Sequence, residues 1–167
     1  MGKCCEKKIC CVGPAGPTGP AGQVGPMGPT GGGFIPSYGY FYNNSSGVQV
    51  SQNSDFPMNS NGPMTGMFHL AGPTGDTGVT VLNTGVYQVT YMVIGGDDTT
   101  SIGLGLTLSG TLQSQTQIKS NTGVGTLSGV AILQITGNTI LTIRNTGPTL
   151  VLNTNAVSVQ LVITRIS

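Results

Sequence analysis

The chain is poor in charge. Acidic and basic residues together make up 7% of it and the formal net charge is +1, so there is no basic field to gather a phosphate backbone or an anionic bilayer surface. Nucleic acid and membrane insertion are therefore not expected. No run of about 20 residues is apolar enough to span a bilayer. The opening MGKCCEKKICC has lysines but lacks the apolar stretch of about 7–15 residues that a secretory signal needs; an extracellular protein of this sequence would leave its cell without an ordinary signal peptide. Cysteine is absent after Cys11, so no disulfide staples whatever core the rest of the chain forms. Histidine occurs once, as His69 in GMFHLAG, with no nucleophile or orienting group near it in sequence. Hydrolytic chemistry needs all three in mutual reach, and no enzyme activity or cofactor is expected. Asp97-Asp98, in IGGDDTTS, supply too few of the six to eight oxygens calcium prefers and read as a hairpin tip, so no metal is assigned. No segment shows apolar residues at helical spacing with caps.

What is present falls into three zones. Residues 1–12 hold Cys4, Cys5, Cys10 and Cys11 among Lys3, Lys7, Lys8 and Glu6. Residues 13–30 then read GPA GPT GPA GQV GPM GPT, with glycine at every third position (Gly13, Gly16, Gly19, Gly22, Gly25 and Gly28) and proline in most X positions, followed by Gly31-Gly32-Gly33. Only glycine fits where three polyproline-like chains meet at a common axis, so an unbroken register implies a collagen-like stalk of three chains, roughly 55 Å long at about 3.1 Å per residue. A flexible Pro/Gly linker is the other reading of the same composition. GPTGDTG at 72–78 also scans as triplets, but alternating apolar segments flank it and a loop between strands is expected there.

From residue 34 to 167 the pattern is all-β. In VTVLNTGVYQVTYMVIGG (79–96), Tyr87, Val89, Tyr91 and Val93 share one parity, which predicts a strand with one apolar face. AVSVQLVITRIS places Val157, Val159, Leu161 and Ile163 on one side, with Val162 the apolar exception among polar residues on the other. Between these lie SIGLGLTLSG, TLQSQTQIK, VGTLSGVAILQIT, NTILTIRN and PTLVLNT, punctuated every 8–12 residues or so, as in sandwiches, barrels and jelly rolls. Mean hydropathy is +0.15, and this part is long enough to bury a core between two sheets. Ile102 to Leu106 alternates large and small apolar residues, which predicts a strand whose second face touches another subunit.

The order of zones resembles a collagen-like stalk capped by a trimeric jelly-roll head of the tumour-necrosis-factor and complement globular-head superfamily, and within it the collagen-like exosporium glycoproteins of Bacillus spores, the BclA group. The resemblance is carried by the triplets at 13–30, by Asn83-Thr84-Gly85-Val86-Tyr87-Gln88-Val89-Thr90, whose Gly85-Val86-Tyr87 fits the opening of the family's long central strand, and by the closing strand Val157 to Ile166. It implies a homotrimeric head at residues 34–167 on a stalk at 13–33 behind an anchor at 1–12, on a spore surface, either exosporium or endospore appendage. It also implies O-linked sugars on Thr18 and Thr30, the outward positions of the GPT triplets. The stalk is shorter than is usual in that group, and the cysteine cluster is closer in style to the Cys-Cys connectors of spore appendage subunits.

The four cysteines admit three readings. Adjacent Cys-Cys pairs four residues apart fit a tetrahedral zinc site poorly; free thiols suit a reducing compartment; disulfides between chains suit clustered cysteines with no internal partner, and this is the preferred reading. Two functions follow: a structural surface protein anchored by its N-terminus to a coat, exosporium or appendage protein, or an adhesin or receptor-binding tip, on an appendage or a phage fibre, whose head meets a host or surface ligand. The aromatic run FIPSYGYFY (34–42) directly follows the stalk and is expected to pack at the base of a trimer.

Overall fold

The computed structural model describes residues 14–25, 35–45, 47–70, 76–96, 101–121, 124–153 and 157–167. Cys4, Cys5, Cys10, Cys11, Gly13, Gly28, Thr30, Asp97 and Asp98 lie outside them. The chain divides into two units, Met1–Gly33 and Phe34–Ser167. In the first, residues 14–25 form neither helix nor strand and are exposed throughout, Thr18 included. A methyl group added at Gly16, Gly19, Gly22 or Gly25 would meet no atom within 4 Å.

The second unit is built from β1 (Tyr38–Asn43), β2 (Gln49–Val50), β3 (Ser60–Thr65), β4 (Met67–Phe68), β5 (Val79–Val81), β6 (Gly85–Gly96), β7 (Ile102–Leu108), β8 (Thr111–Leu112), a single 3-10 turn at Ser114–Thr116, β9 (Ile118–Ser120), β10 (Val124–Ile135), β11 (Thr139–Asn145), β12 (Leu150–Val151) and β13 (Val159–Arg165). One sheet has the order β10-β6-β13-β1-β3; a second has β4-β5-β11-β7-β8, with β9 also on β7; β2 and β12 form a small third pair. From β6 onward successive long strands (β6, β7, β10, β11, β13) alternate between the two large sheets, and every pairing between the strands named is antiparallel. The result is the all-β jelly-roll sandwich expected from the pattern.

Alternation explains which residues fill it. Tyr87, Val89, Tyr91 and Val93 of β6, and Val159, Leu161 and Ile163 of β13, are buried and meet Leu104, Leu106, Leu141 and Ile143 of the opposite sheet in one cluster. The polar tips of the two tyrosines find acceptors as they enter it, since a buried hydroxyl without a partner is costly: Tyr87 donates to the Asn83 carbonyl at 2.7 Å and Tyr91 to the Thr116 carbonyl. At Gly66 the chain leaves the first sheet for the second. Its φ is +65°, and a side chain there would press within 2.7 Å of the Asn83 amide nitrogen, so only glycine suits the corner.

Strand β7 departs from the expectation. Both of its faces are buried, as the sequence suggested, but the second is covered by the chain itself. A Cβ on Gly103 would meet the Gly147 nitrogen at 2.7 Å, and one on Gly105 would meet Leu112 at 2.7 Å and Gln117 at 3.2 Å. The glycines are there so that the 146–147 turn and the segment between β8 and β9 can lie flat on the strand. In that segment the edge ladder is broken and hydroxyl chemistry replaces it. The Leu106 amide donates to Thr116 Oγ1 at 2.8 Å, and Thr116 Oγ1 donates to the Gln113 carbonyl at 2.7 Å.

Of 72–78, residues 76–78 are described and form the end of a connection. The Asp76 carbonyl accepts from the Met58 amide at 2.8 Å, and β5 follows at once.

Candidate functional site

The feature of the head that calls for a role is the outward face of the five-stranded sheet. Tyr38, Tyr40 and Tyr42 project there because Gly39 and Phe41, between them, point into the core. The register lays the outward residues in rows across four strands: Tyr38, Thr164, Gln88, Ile132; then Tyr40, Val162, Thr90, Val130; then Tyr42, Gln160, Met92, Ser128. None of these side chains is charged. Pairs such as Tyr40 with Val162 are the aromatic and β-branched neighbours that stabilise a sheet from the side. The rings of Tyr40 and Tyr42 stack at 5.2 Å between centroids, with planes 22° apart. Burial, and after it the neighbouring Tyr42 phenol, raise the pKa of Tyr40 above its ordinary value. Beside the tyrosines, Tyr38, Tyr40, Pro63, Val162 and Thr164 line an open groove of about 380 Å³.

The aromatic run therefore packs as a strand, with Phe41 in the core and its tyrosines on an open face. Sequence reading found those tyrosines and marked Val162 as out of pattern, but it missed Val130 and Ile132 as part of the same face. Their signal was present in VAILQI, which is apolar on both parities where a strand with one wet face should alternate.

His69 lies just after β4, the edge strand of the second sheet, and is 4% exposed, in edge-to-face contact with Phe41 at 5.3 Å between centroids. The Asn61 amide donates to the His69 carbonyl at 3.3 Å, which turns the Asn61 Oδ1 toward His69 Nδ1 at 2.5 Å; Nδ1 therefore carries a proton. His69 Nε2 faces the Asp76 carbonyl at 3.3 Å. Held between these two oxygens and buried, the ring is a strut between β3 and the segment entering β5 and is not presented to a substrate. The bidentate pair of Arg144 with Asp55 (2.7 and 3.2 Å) is structural in the same way: it fastens the 53–56 segment to β11, and the hydrogen bond that Arg144 donates to Asp55 raises the Arg144 pKa. Among the described residues no group of three or more histidine, cysteine, aspartate or glutamate side chains could hold a metal ion, and no helix is long and apolar enough to cross a membrane.

No family model matches the chain, and no curated protein matches it in sequence. Its fold is found among solved structures. Murine APRIL at pH 8.5 superposes with a TM-score of 0.57 at 15% identity, covering 79% of this chain and 100% of that one. Eiger TNF from S. frugiperda superposes with a TM-score of 0.57 at 19% identity, covering 80% of this chain and 94% of that one. The head is thus similar in fold to tumour-necrosis-factor-like jelly rolls.

Proposed function

We propose that the chain is a non-enzymatic structural protein of a bacterial spore surface, exosporium or appendage, built as a homotrimer: a jelly-roll head, a collagen-like neck and a cysteine anchor. The observation that carries this reading is the uncharged, tyrosine-rich outward face of the five-stranded sheet, in a chain whose preceding residues repeat Gly-X-Y. A sheet face rich in aromatic and aliphatic side chains and without charge is suited to burial against other protein, because no ionised group on it resists desolvation. Three copies are the number the triplets require, and the fold is one that the superfamily resemblance associates with trimers.

In this reading Gly13, Gly16, Gly19, Gly22, Gly25 and Gly28 set the stalk register. Cys4, Cys5, Cys10 and Cys11 form disulfides to sister chains or to a coat protein, and Thr18 and Thr30 carry sugars that hydrate a neck nearly devoid of charge. Light scattering with far-ultraviolet circular dichroism on heating tests the assembly. A mass of three chains and a separate low-temperature collagen transition are expected, and a monomer refutes it. Extraction of spores with and without reductant tests the anchor: release only with reductant is expected, and equal release in both refutes it. Intact mass of the native protein tests the sugars, which a mass equal to the bare chain excludes.

A further inference from the structure

The two edges of the five-stranded sheet are made differently. At one edge β3 carries Pro63, and its register against β1 shifts between Gly39 and Phe41. Proline, charge and bulges are the usual means by which an edge strand is kept from pairing with another chain. At the other edge β10 has none of them. It holds no proline and no charged residue, and its twelve residues pair with β6 without a break in register.

The backbone groups that this edge offers follow from β6. The Val86 amide donates to the Ser167 carbonyl at 2.9 Å, the Ile166 amide to the Val86 carbonyl at 2.8 Å and the Ile94 amide to the Ser158 carbonyl at 2.7 Å. Even-numbered residues of β6 therefore face β13, and odd-numbered ones face β10. Opposite residues in an antiparallel ladder alternate between bonded and non-bonded pairs. Gly129, opposite Tyr91, and Ala131, opposite Val89, thus bond to β6, whereas Thr126, Ser128, Val130, Ile132 and Gln134 turn their N–H and C=O groups away from it. Among the described residues no strand pairs with that side. Val130 and Ile132, at its centre, are 63% and 65% exposed.

The strand's own sequence indicates what fits it. Read in both directions from Ala131, TLSGVAILQIT (126–136) is nearly a palindrome in chemistry: Val130 matches Ile132, Ser128 matches Gln134, and Leu127 matches Ile135. Two copies of β10 related by a two-fold axis at Ala131 would meet antiparallel in that register, with like opposite like. The pairs that exchange hydrogen bonds are then even with even, which are the residues whose groups β6 leaves unused.

We propose that β10 of one head pairs with β10 of a second copy and continues the five-stranded sheet across both. The contact lies in the plane of the sheet and goes beyond the trimeric reading above. Each chain offers one such edge, so the pairing links one trimer to others, the lateral contact that a surface layer requires.

The test uses the full chain in reductant, with mass from light scattering over a range of concentrations and folding checked by circular dichroism. Wild type is expected above three chains of 17.0 kDa each, rising with concentration. Val130→Pro deletes only an N–H that faces away from β6, as an edge strand tolerates, and should stay at three. Ser128→Lys with Gln134→Lys sets like charges opposite one another and should also stay at three. Ser128→Lys with Gln134→Glu sets opposite charges there and should assemble as wild type does. If the trimeric reading alone fails, wild type is two chains and the first two variants are one. Wild type fixed at three chains or at one, either of the first two variants assembling as wild type does, or the lysine-glutamate variant failing to do so overturns the edge pairing.

Discussion

The hydroxyl of Thr116 is the smallest group on which a whole covering segment depends. Replacing it with valine keeps shape and volume but removes the acceptor for the Leu106 amide, and Leu106 is fully buried. A buried donor left without a partner costs about 1–3 kcal/mol. The Gln113 carbonyl loses less, because the Thr116 amide still donates to it at 2.9 Å. We expect Thr116→Val to destabilise the head by about 2–3 kcal/mol. With a urea dependence of about 1–3 kcal/mol per molar for a domain of this class, the midpoint should fall by roughly 1–2 M. Thr116→Ser keeps the hydroxyl and loses only a methyl group, which costs about 1 kcal/mol. Urea unfolding at one fixed protein concentration is the assay, because self-association makes midpoints depend on concentration. A loss below about 0.5 kcal/mol for Thr116→Val, or a larger loss for Thr116→Ser, would refute the claim that this hydroxyl stands in for a broken strand ladder.

Three further outcomes follow from the same structure. Thr107 and Thr142 share one buried hydroxyl contact at 2.7 Å; either valine variant alone should cost about 1–2 kcal/mol and the double variant less than the sum, since removing both partners strands neither, and additive losses in a thermal double-mutant cycle would count against it. Gly66→Ala should cost about 2–4 kcal/mol, combining a left-handed backbone with a clash at Asn83, and a melting temperature within a degree of wild type would show that the corner can rebuild. Burial raises the pKa of Tyr91 above its ordinary value of 10.0, so its contribution to stability is complete below about pH 10, where the unfolded phenol is still protonated, and is lost as pH rises through the folded value; Tyr91→Phe should make the alkaline loss of melting temperature shallower, and an unchanged slope would refute the assignment.

How much of this was legible in the sequence depended on how local its cause was. The core parity of β6 and β13 could be read directly, because period-two alternation is a property of the strand itself. The role of Gly103 and Gly105 could not. The sequence shows that the second face of β7 is small and apolar, but the identity of what covers it is set by the 146–147 turn and by a 3-10 excursion forty and ten residues away respectively, to the nearest ten. The burial of His69 was hidden for a related reason: it follows an edge strand, and Asn61 and the Asp76 carbonyl, which flank its ring, are brought in by two other segments.

The outward face stands between these cases, and its partial legibility is itself informative. A strand with one wet side should carry polar residues there, yet Tyr38, Tyr40, Tyr42, Val130, Ile132 and Val162 all lie on the side away from the core. Left in water, such residues gain nothing from folding and raise the risk of unspecific association. Their place on one face is what contact between the copies of the proposed trimer would use up. Closure would also act on the neck. Six triplets are too few to order three chains unaided, because conformational entropy is lost before any contact repays it; three heads joined in a ring would hold three C-terminal ends of the neck together and raise their effective concentration. The collagen transition should therefore disappear in any variant whose heads are monomeric even though every triplet is intact, and its persistence there would separate the neck from the head as independent devices.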